Sequence, residues 1–249
     1  MDPHLENPFR FSYSVLYLPL FFVLFIWTIF GYESYSQTDL SHFGIYPRTS
    51  FGIKGIFFSP FLHGDLAHLC NNSLALFVLL PLLRYFYRNQ TAIVLVLGLL
   101  FSGLGTWLLG RPSYHIGASG LIYVLVSFIF FKGIFTKYYR LVALSFLVVL
   151  LYGSSFWYMF PNVKQGISWE GHLAGFLVGF SLALVLKTPQ FGATLFYDWQ
   201  KPDFNPDLDP FMKNFDEKGN FNPPPKPEEI IKDYFNSSLK VIYDFIGKK

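Results

Sequence analysis

Apolar residues gather into six runs, at about 12–30, 66–83, 91–109, 118–131, 141–160 and 171–186, each bounded by charges or turn residues. A bilayer's hydrocarbon core is about 30 Å thick and takes roughly 20 helical residues to cross. The fourth run reaches that length only if the helix continues past Lys132 through "GIF", with the lysine snorkelling to the interface. The pattern therefore predicts an all-α integral membrane protein with a bundle of six transmembrane helices. An even number of spans puts both termini on one side.

The connections differ in character. A long first outer loop, about 31–65, contains "HFGIYPRTSFGIKGIFFSPFLHGD", rich in Gly, Pro and Phe but without spanning length. It is expected to rest partly in the membrane interface. The fifth connection, "YMFPNVKQGISWE", has the Pro, Asn and Gly of a flexible turn and a Trp suited to the interface. After Lys187 the apolar pattern ends. Residues 1–187 read as a membrane domain, and 188–249 as a Pro-rich cytosolic tail. Within that tail Ile230, Ile231, Phe235, Leu239, Ile242 and Phe245 fall at helical spacing, with acids early and lysines late. That predicts a short amphipathic C-terminal helix.

Composition supports this reading. Charged residues make up only 14% of the chain, against about 25% in soluble proteins. The single cysteine, Cys70, excludes an intrachain disulfide framework and a cysteine-rich metal site. The opening "MDPHLENPFRF" lacks the basic start of a signal peptide, so the first run is expected to be a retained span. No basic patch suggests a nucleic-acid partner. With the N-terminus in the cytosol, seven Lys/Arg lie at the inner ends of the first 187 residues (Arg10, Arg84, Arg88, Lys132, Lys137, Arg140, Lys187). Four lie outside: Arg48, Lys54, Arg111 and Lys164. The excess favours a multi-pass protein of the plasma (inner) membrane with both termini inside.

Polar residues recur at one depth. Counting 1.5 Å per helical residue from the inner charges, Ser119 lies about 20 Å from Lys132, His172 about 22 Å from Lys187, and His68 about 24 Å from Arg84. All three fall in one layer below the outer boundary. A serine in a membrane helix is often only a small packing residue. Ionisable groups inside a bilayer are costly, however, and usually face a cavity or one another. A His can take the proton of a Ser hydroxyl, making it a nucleophile. No carboxylate lies inside a run, so the pair would be a dyad. Tyr123, one turn past Ser119, is placed to stack on His172. His68, Asn72 and the backbone N–H of Ser119 are candidate oxyanion donors. Gly117 and Gly120 allow a tight turn and close packing around the serine. Gly175 and Gly179 form a GxxxG pair one turn past His172, which allows a close helix crossing.

These residues resemble the rhomboid family of intramembrane serine proteases over about residues 12–187. "GASG" at 117–120 is similar to the family's GxSG, "GHLAG" at 171–175 to its sixth-helix histidine motif, and "HLCNN" at 68–72 to its HxxxN. "FLH" at 61–63 precedes the last, with His63 at a frequent structural position. The loop before it lacks the Trp-Arg pair often found in the family. The resemblance implies a rhomboid-like bundle with Ser119 as nucleophile, His172 as base, His68 and Asn72 as oxyanion partners and Tyr123 stacked on the base. It also implies cleavage of single-span transmembrane substrates in contact with lipid, without cofactor or metal. His42, Ser113 and His115 have no role in this reading. An inactive relative acting as a membrane adaptor or chaperone is the alternative; such proteins usually lack the serine or the histidine. A transporter would want an intramembrane carboxylate or an inverted repeat, and neither HExxH nor an aspartate pair lies in the runs.

Overall fold

The computed structural model describes Phe9, residues 11–187, Tyr197 and residues 202–223. The chain divides into two compact units, Met1–Gly192 and Ala193–Lys249. In the first, seven α-helices follow one another: α1 (Ser14–Ser36), α2 (Gly55–Phe58), α3 (Leu66–Phe86), α4 (Thr91–Leu109), α5 (Ser119–Thr136), α6 (Tyr139–Tyr152) and α7 (Trp169–Val185). A 3₁₀ segment, Gly153–Met159, prolongs α6. No strand forms among the described residues. Five helices are long and apolar enough to cross a membrane, counting α6 with its 3₁₀ extension; α7 is a shorter apolar helix. The six runs of the sequence thus become five helices of spanning length and a sixth of 17 residues. In the second unit, the described residues form two 3₁₀ turns, Pro206–Leu208 and Met212–Asn214, and an isolated bridge between Phe215 and Phe221. The amphipathic helix expected near the C-terminus lies outside the described residues.

The central helix is α5. It packs on α7, α6, α4 and α3. Its Leu125, Phe128 and Ile129 are wholly buried, whereas α1 leaves Leu16, Tyr17, Phe21 and Leu24 exposed. Exposed apolar side chains on an outer helix are what lipid contact requires. α5 does continue through Gly133, Ile134 and Phe135 to Thr136, giving the fourth run its length. Lys132 does not snorkel, however. It is 1% exposed, and its Nζ donates to the carbonyls of Ala183 at 3.1 Å and of Leu186. The ammonium caps the last carbonyls of α7, where the helix dipole is negative. A charge that the sequence sent to the interface thus ties two helices together.

The α5–α7 seam depends on glycine. A Cβ at Gly175 would stand 2.2 Å from the Gly120 carbonyl oxygen, and one at Gly179 2.3 Å from that of Val124. The two backbones therefore touch. Ser127 adds a hydrogen bond from its hydroxyl to the Phe176 carbonyl, 2.7 Å.

The long first loop is fastened to the ends of α4 and α5. Ile45 and His115 exchange backbone hydrogen bonds of 3.0 and 2.8 Å. The Arg48 guanidinium donates to the Leu108 and Gly110 carbonyls at the end of α4, and the Trp107 indole donates to Thr49. Gly117 N–H donates to the Ser59 carbonyl at 2.8 Å. Arg48 and Trp107 thus anchor a loop that lacks the expected Trp-Arg pair.

Substituting Gly179→Val should force backbone apart along the seam and destabilise the fold by about 1–3 kcal/mol or more. Thermal unfolding in detergent micelles measures this. Gly31→Ala is the control, since a Cβ there meets nothing within 4 Å, and its unfolding temperature should not fall.

Candidate functional site

Three helix starts converge. Asp65 caps α3: its Oδ1 accepts from the His68 N–H at 2.8 Å. Capping satisfies a helix-end donor that would otherwise go unpaired. It also fixes the first turn, from which His68 and Asn72 project one turn apart on the same face. Ser168 caps α7, accepting from the Gly171 N–H at 3.2 Å, and His172 follows one turn in. α5 starts at Ser119, after Gly117 turns the chain with φ +106°. A side chain at 117 would be strained by that angle, and its Cβ would lie 2.5 Å from the His68 ring.

Ser119 and His172 meet. The histidine Nε2 stands 3.0 Å from the Ser119 Oγ. Its Nδ1 is 3.0 Å from the Tyr158 carbonyl. A carbonyl only accepts, so Nδ1 carries the ring proton and Nε2 is left to accept from the serine hydroxyl. Tyr123 stacks on the imidazole, centroids 4.3 Å apart and planes within 14°. The Tyr123 hydroxyl in turn donates to the Ser155 carbonyl at 2.5 Å. The sequence leaves open what orients the imidazole when no carboxylate is present. Two carbonyls of the segment that prolongs α6 do so, one directly and one through Tyr123. Backbone carbonyls carry no signature in the sequence, which is why Tyr158 and Ser155 were not foreseen.

The oxyanion candidates lie beside the serine. The His68 ring rests on Gly117. Asn72, 5% exposed, donates through Nδ2 to His63 Nε2 at 3.0 Å. The amide has a second N–H, still free to donate. His63 is 2% exposed and lies against the His68 ring, centroids 5.0 Å apart. Burial, with the neighbouring His68 second, pushes the His63 pKa down to about 4. It therefore stays neutral and able to accept from Asn72.

One space touches Ser119 and another touches Tyr123. One, of about 30 Å³, is lined by Ser119 and by Ser59, Ser102, Thr106, His115 and Ser168. It is large enough for a water molecule with polar partners. The other, about 350 Å³ and apolar, lies among α5, α6 and the 3₁₀ segment, lined by Tyr123, Val126, Phe130, Val148, Tyr152 and Met159. No cluster of His, Cys, Asp or Glu able to hold a metal occurs among the described residues.

Comparison with known proteins gives one family. A model of the Rhomboid domain matches residues 51–189. Uncharacterized proteins of Mycobacterium tuberculosis and Mycobacterium bovis are each 34% identical over 183 residues, covering 69% of this chain and 75% of theirs. One of Mycobacterium leprae is 28% identical over 179 residues, 69% of this chain and 71% of its own.

Stability should depend on pH through His63. In the unfolded chain it takes a proton near its ordinary 6.5; folded, it resists until about 4. Between those values the unfolded state binds more protons, so stability falls as pH falls. His115, lowered by burial, acts in the same direction. Unfolding temperature in micelles should drop from pH 7 to pH 4.5, and His63→Gln should flatten that decline while leaving Asn72 an acceptor.

Proposed function

This chain belongs to the rhomboid family, and from that membership we propose that it is an intramembrane serine endopeptidase cutting transmembrane proteins near the outer membrane face. The observation that carries the proposal is the 3.0 Å contact between His172 Nε2 and the Ser119 hydroxyl, with Nδ1 held by Tyr158. In the proposed reaction the Ser119 Oγ attacks the scissile carbonyl carbon while its proton passes to His172 Nε2. The carbonyl oxygen becomes an oxyanion, stabilised by the Ser119 N–H, the His68 ring and the second Asn72 N–H. As the C–N bond breaks, His172 returns the proton to the leaving amine. Water then attacks the acyl-serine ester, giving one proton to His172; as the ester C–Oγ bond breaks, His172 passes that proton to the Ser119 Oγ and the carboxylic acid is released.

The substrates proposed are single-span proteins. A stable helix hides its carbonyls in hydrogen bonds, so the scissile stretch must unwind first, and small residues at the cut favour this. Entry is proposed between α6 and α3. In support, α6 leans on α5 rather than on α3, and the apolar cavity beside Tyr123 offers room for a substrate side chain. The proposed orientation sets both termini in the cytosol and the dyad toward the outside of the inner membrane, following the Lys/Arg excess at the inner ends.

Ser119→Ala and His172→Ala should abolish cleavage of a model transmembrane substrate in liposomes while leaving thermal unfolding nearly unchanged. Asn72→Ala and His68→Ala should retain part of the activity, since each removes one of several donors; a lone oxyanion donor is worth about 100- to 1,000-fold in rate at most. Wild-type cleavage by Ser119→Ala would end the protease reading in favour of a membrane adaptor.

Crosslinking α6 to α3 through introduced cysteines, with Cys70 replaced by serine, should block cleavage of that substrate, and reduction should restore it. Undiminished cleavage after complete crosslinking would rule out entry by this route.

A further inference from the structure

The structure holds a second Ser–His hydrogen bond. His115 Nδ1 lies 2.6 Å from the Ser168 Oγ. His115 stands four residues before Ser119, and Ser168 four before His172. The two pairs therefore join the same two strands of chain at two successive levels, with the roles exchanged: histidine from the α5 side and serine from the α7 side in one, the reverse in the other. Both members of the upper pair sit on chain that is already fastened. His115 is 4% exposed and its backbone pairs with Ile45. Ser168 is the cap of α7.

Hydrogen-bond accounting fixes every proton in the upper pair. His115 Nε2 is 3.0 Å from the Arg111 carbonyl, so that nitrogen must donate. Nδ1 is then the acceptor and the Ser168 hydroxyl donates to it. The same Oγ accepts from the Gly171 N–H, the cap bond of α7. The chain of donors runs from Gly171 N–H through Ser168 and His115 to the Arg111 carbonyl, with the Ser113 hydroxyl also 3.5 Å from His115 Nε2. A neutral imidazole is required, and burial lowers the His115 pKa from its ordinary value, which keeps it so. A second tie lies alongside. The Glu170 Oε1 accepts from the Arg111 N–H at 3.2 Å and lies 3.7 Å from its guanidinium, which also donates to the Ile167 carbonyl. This ion pair joins the α4–α5 connection to the first turn of α7, with Glu170 buried and Arg111 exposed.

We infer that His115 and Ser168 are positioning residues whose hydrogen bond sets the register in which the nucleophile on α5 meets the base on α7. The inference rests on the proposed protease reading for its kinetic consequence, though not for its structural one. Ser127 and Lys132 tie α5 to α7 farther along the seam, but neither holds the first turn of α7 against the start of α5. The pair at 115 and 168 does, because it fixes the α7 cap to the turn that precedes Ser119. Loss of either partner leaves the cap hydroxyl or the ring unsatisfied and frees α7 to turn by a fraction of an ångström at His172. A misplacement near 1 Å in a reacting group costs on the order of 100-fold.

The test uses the full chain in micelles with His115→Ala, Ser168→Ala, the double variant and Ser168→Thr. Three readouts are taken: kcat and KM on a transmembrane substrate, the rate at which a fluorophosphonate labels Ser119, and ¹⁵N NMR of the histidine rings. Both alanine variants should lower kcat and labelling together, roughly 10- to 100-fold, with KM little changed. The double variant should be no worse than the more impaired single one. Ser168→Thr keeps the hydroxyl and should recover most of the activity. The His172 ring should pass from the single Nδ1–H tautomer to a mixture in the alanine variants. An unchanged His172 ring signal, with any loss of activity following the unfolding temperature, would reduce the pair to a stabilising contact and overturn the inference. If the wild type neither cleaves nor labels while its His172 signal still responds to His115→Ala, the protease reading falls and the positioning role stands. Should the alanine variants not fold, Ser168→Gly carries the same test, since glycine is tolerated at a helix cap but brings no hydroxyl to His115.

Discussion

Everything in the membrane unit depends on how closely α5 and α7 approach. In lipid, apolar side chains gain little by moving from one apolar neighbour to another, so helices associate through packing and through polar contacts between them. Gly120, Gly175 and Gly179 bring the two backbones into contact, and only at that distance can a short serine side chain on one helix reach an imidazole on the other. The polar ties along the seam follow from the same closeness. Ser127 reaches the Phe176 carbonyl, and Lys132 reaches the last carbonyls of α7. A wider crossing would leave each of these groups unpaired in an apolar medium, at a cost of several kcal/mol apiece. The seam is thus both the condition for the site and the reason the polar groups around it are tolerated.

A polar site among apolar helices faces a constraint that water-exposed sites escape. A carboxylate behind the histidine would have to keep its charge without water around it. This chain uses neutral acceptors instead. The Tyr158 carbonyl selects the tautomer, the Tyr123 ring fixes the plane, and no charge is buried in doing so. His63 plays a comparable part for Asn72, accepting one amide proton so that the other keeps its direction. Arg111 and Glu170 lie at the helix starts, where they pair with each other and with the backbone.

The spans were legible because burial in lipid imposes a simple rule on composition, and "GASG", "GHLAG" and "HLCNN" were legible because they place the side-chain types of the family's motifs at the family's spacing. Matched depth alone brought Ser119, His172 and His68 into one layer, and the structure does gather them. Other features escaped for definite reasons. Lys132 read as an interfacial cation, since nothing in sequence shows that the end of α7 lies within its reach. Tyr158 and Ser155 act through main-chain oxygen, which every residue has. His115 stood without a partner because Ser168 lies 53 residues away; the signal available was its equal spacing from Ser119 and of Ser168 from His172. The sixth run becomes a helix of 17 residues, which starts at the Ser168 cap and ends with the apolar stretch at Val185.

The 3₁₀ segment Gly153–Met159 carries a further meaning. It supplies the acceptor for His172 Nδ1 and the acceptor for the hydroxyl of Tyr123, and it stands at the C-terminal end of α6. Any displacement of this segment withdraws both acceptors together. The ring then has no reason to prefer one tautomer or one plane, and its basic nitrogen is no longer aimed at the serine. On the proposed protease reading, one piece of chain would therefore couple the admission of a substrate to the aim of the base.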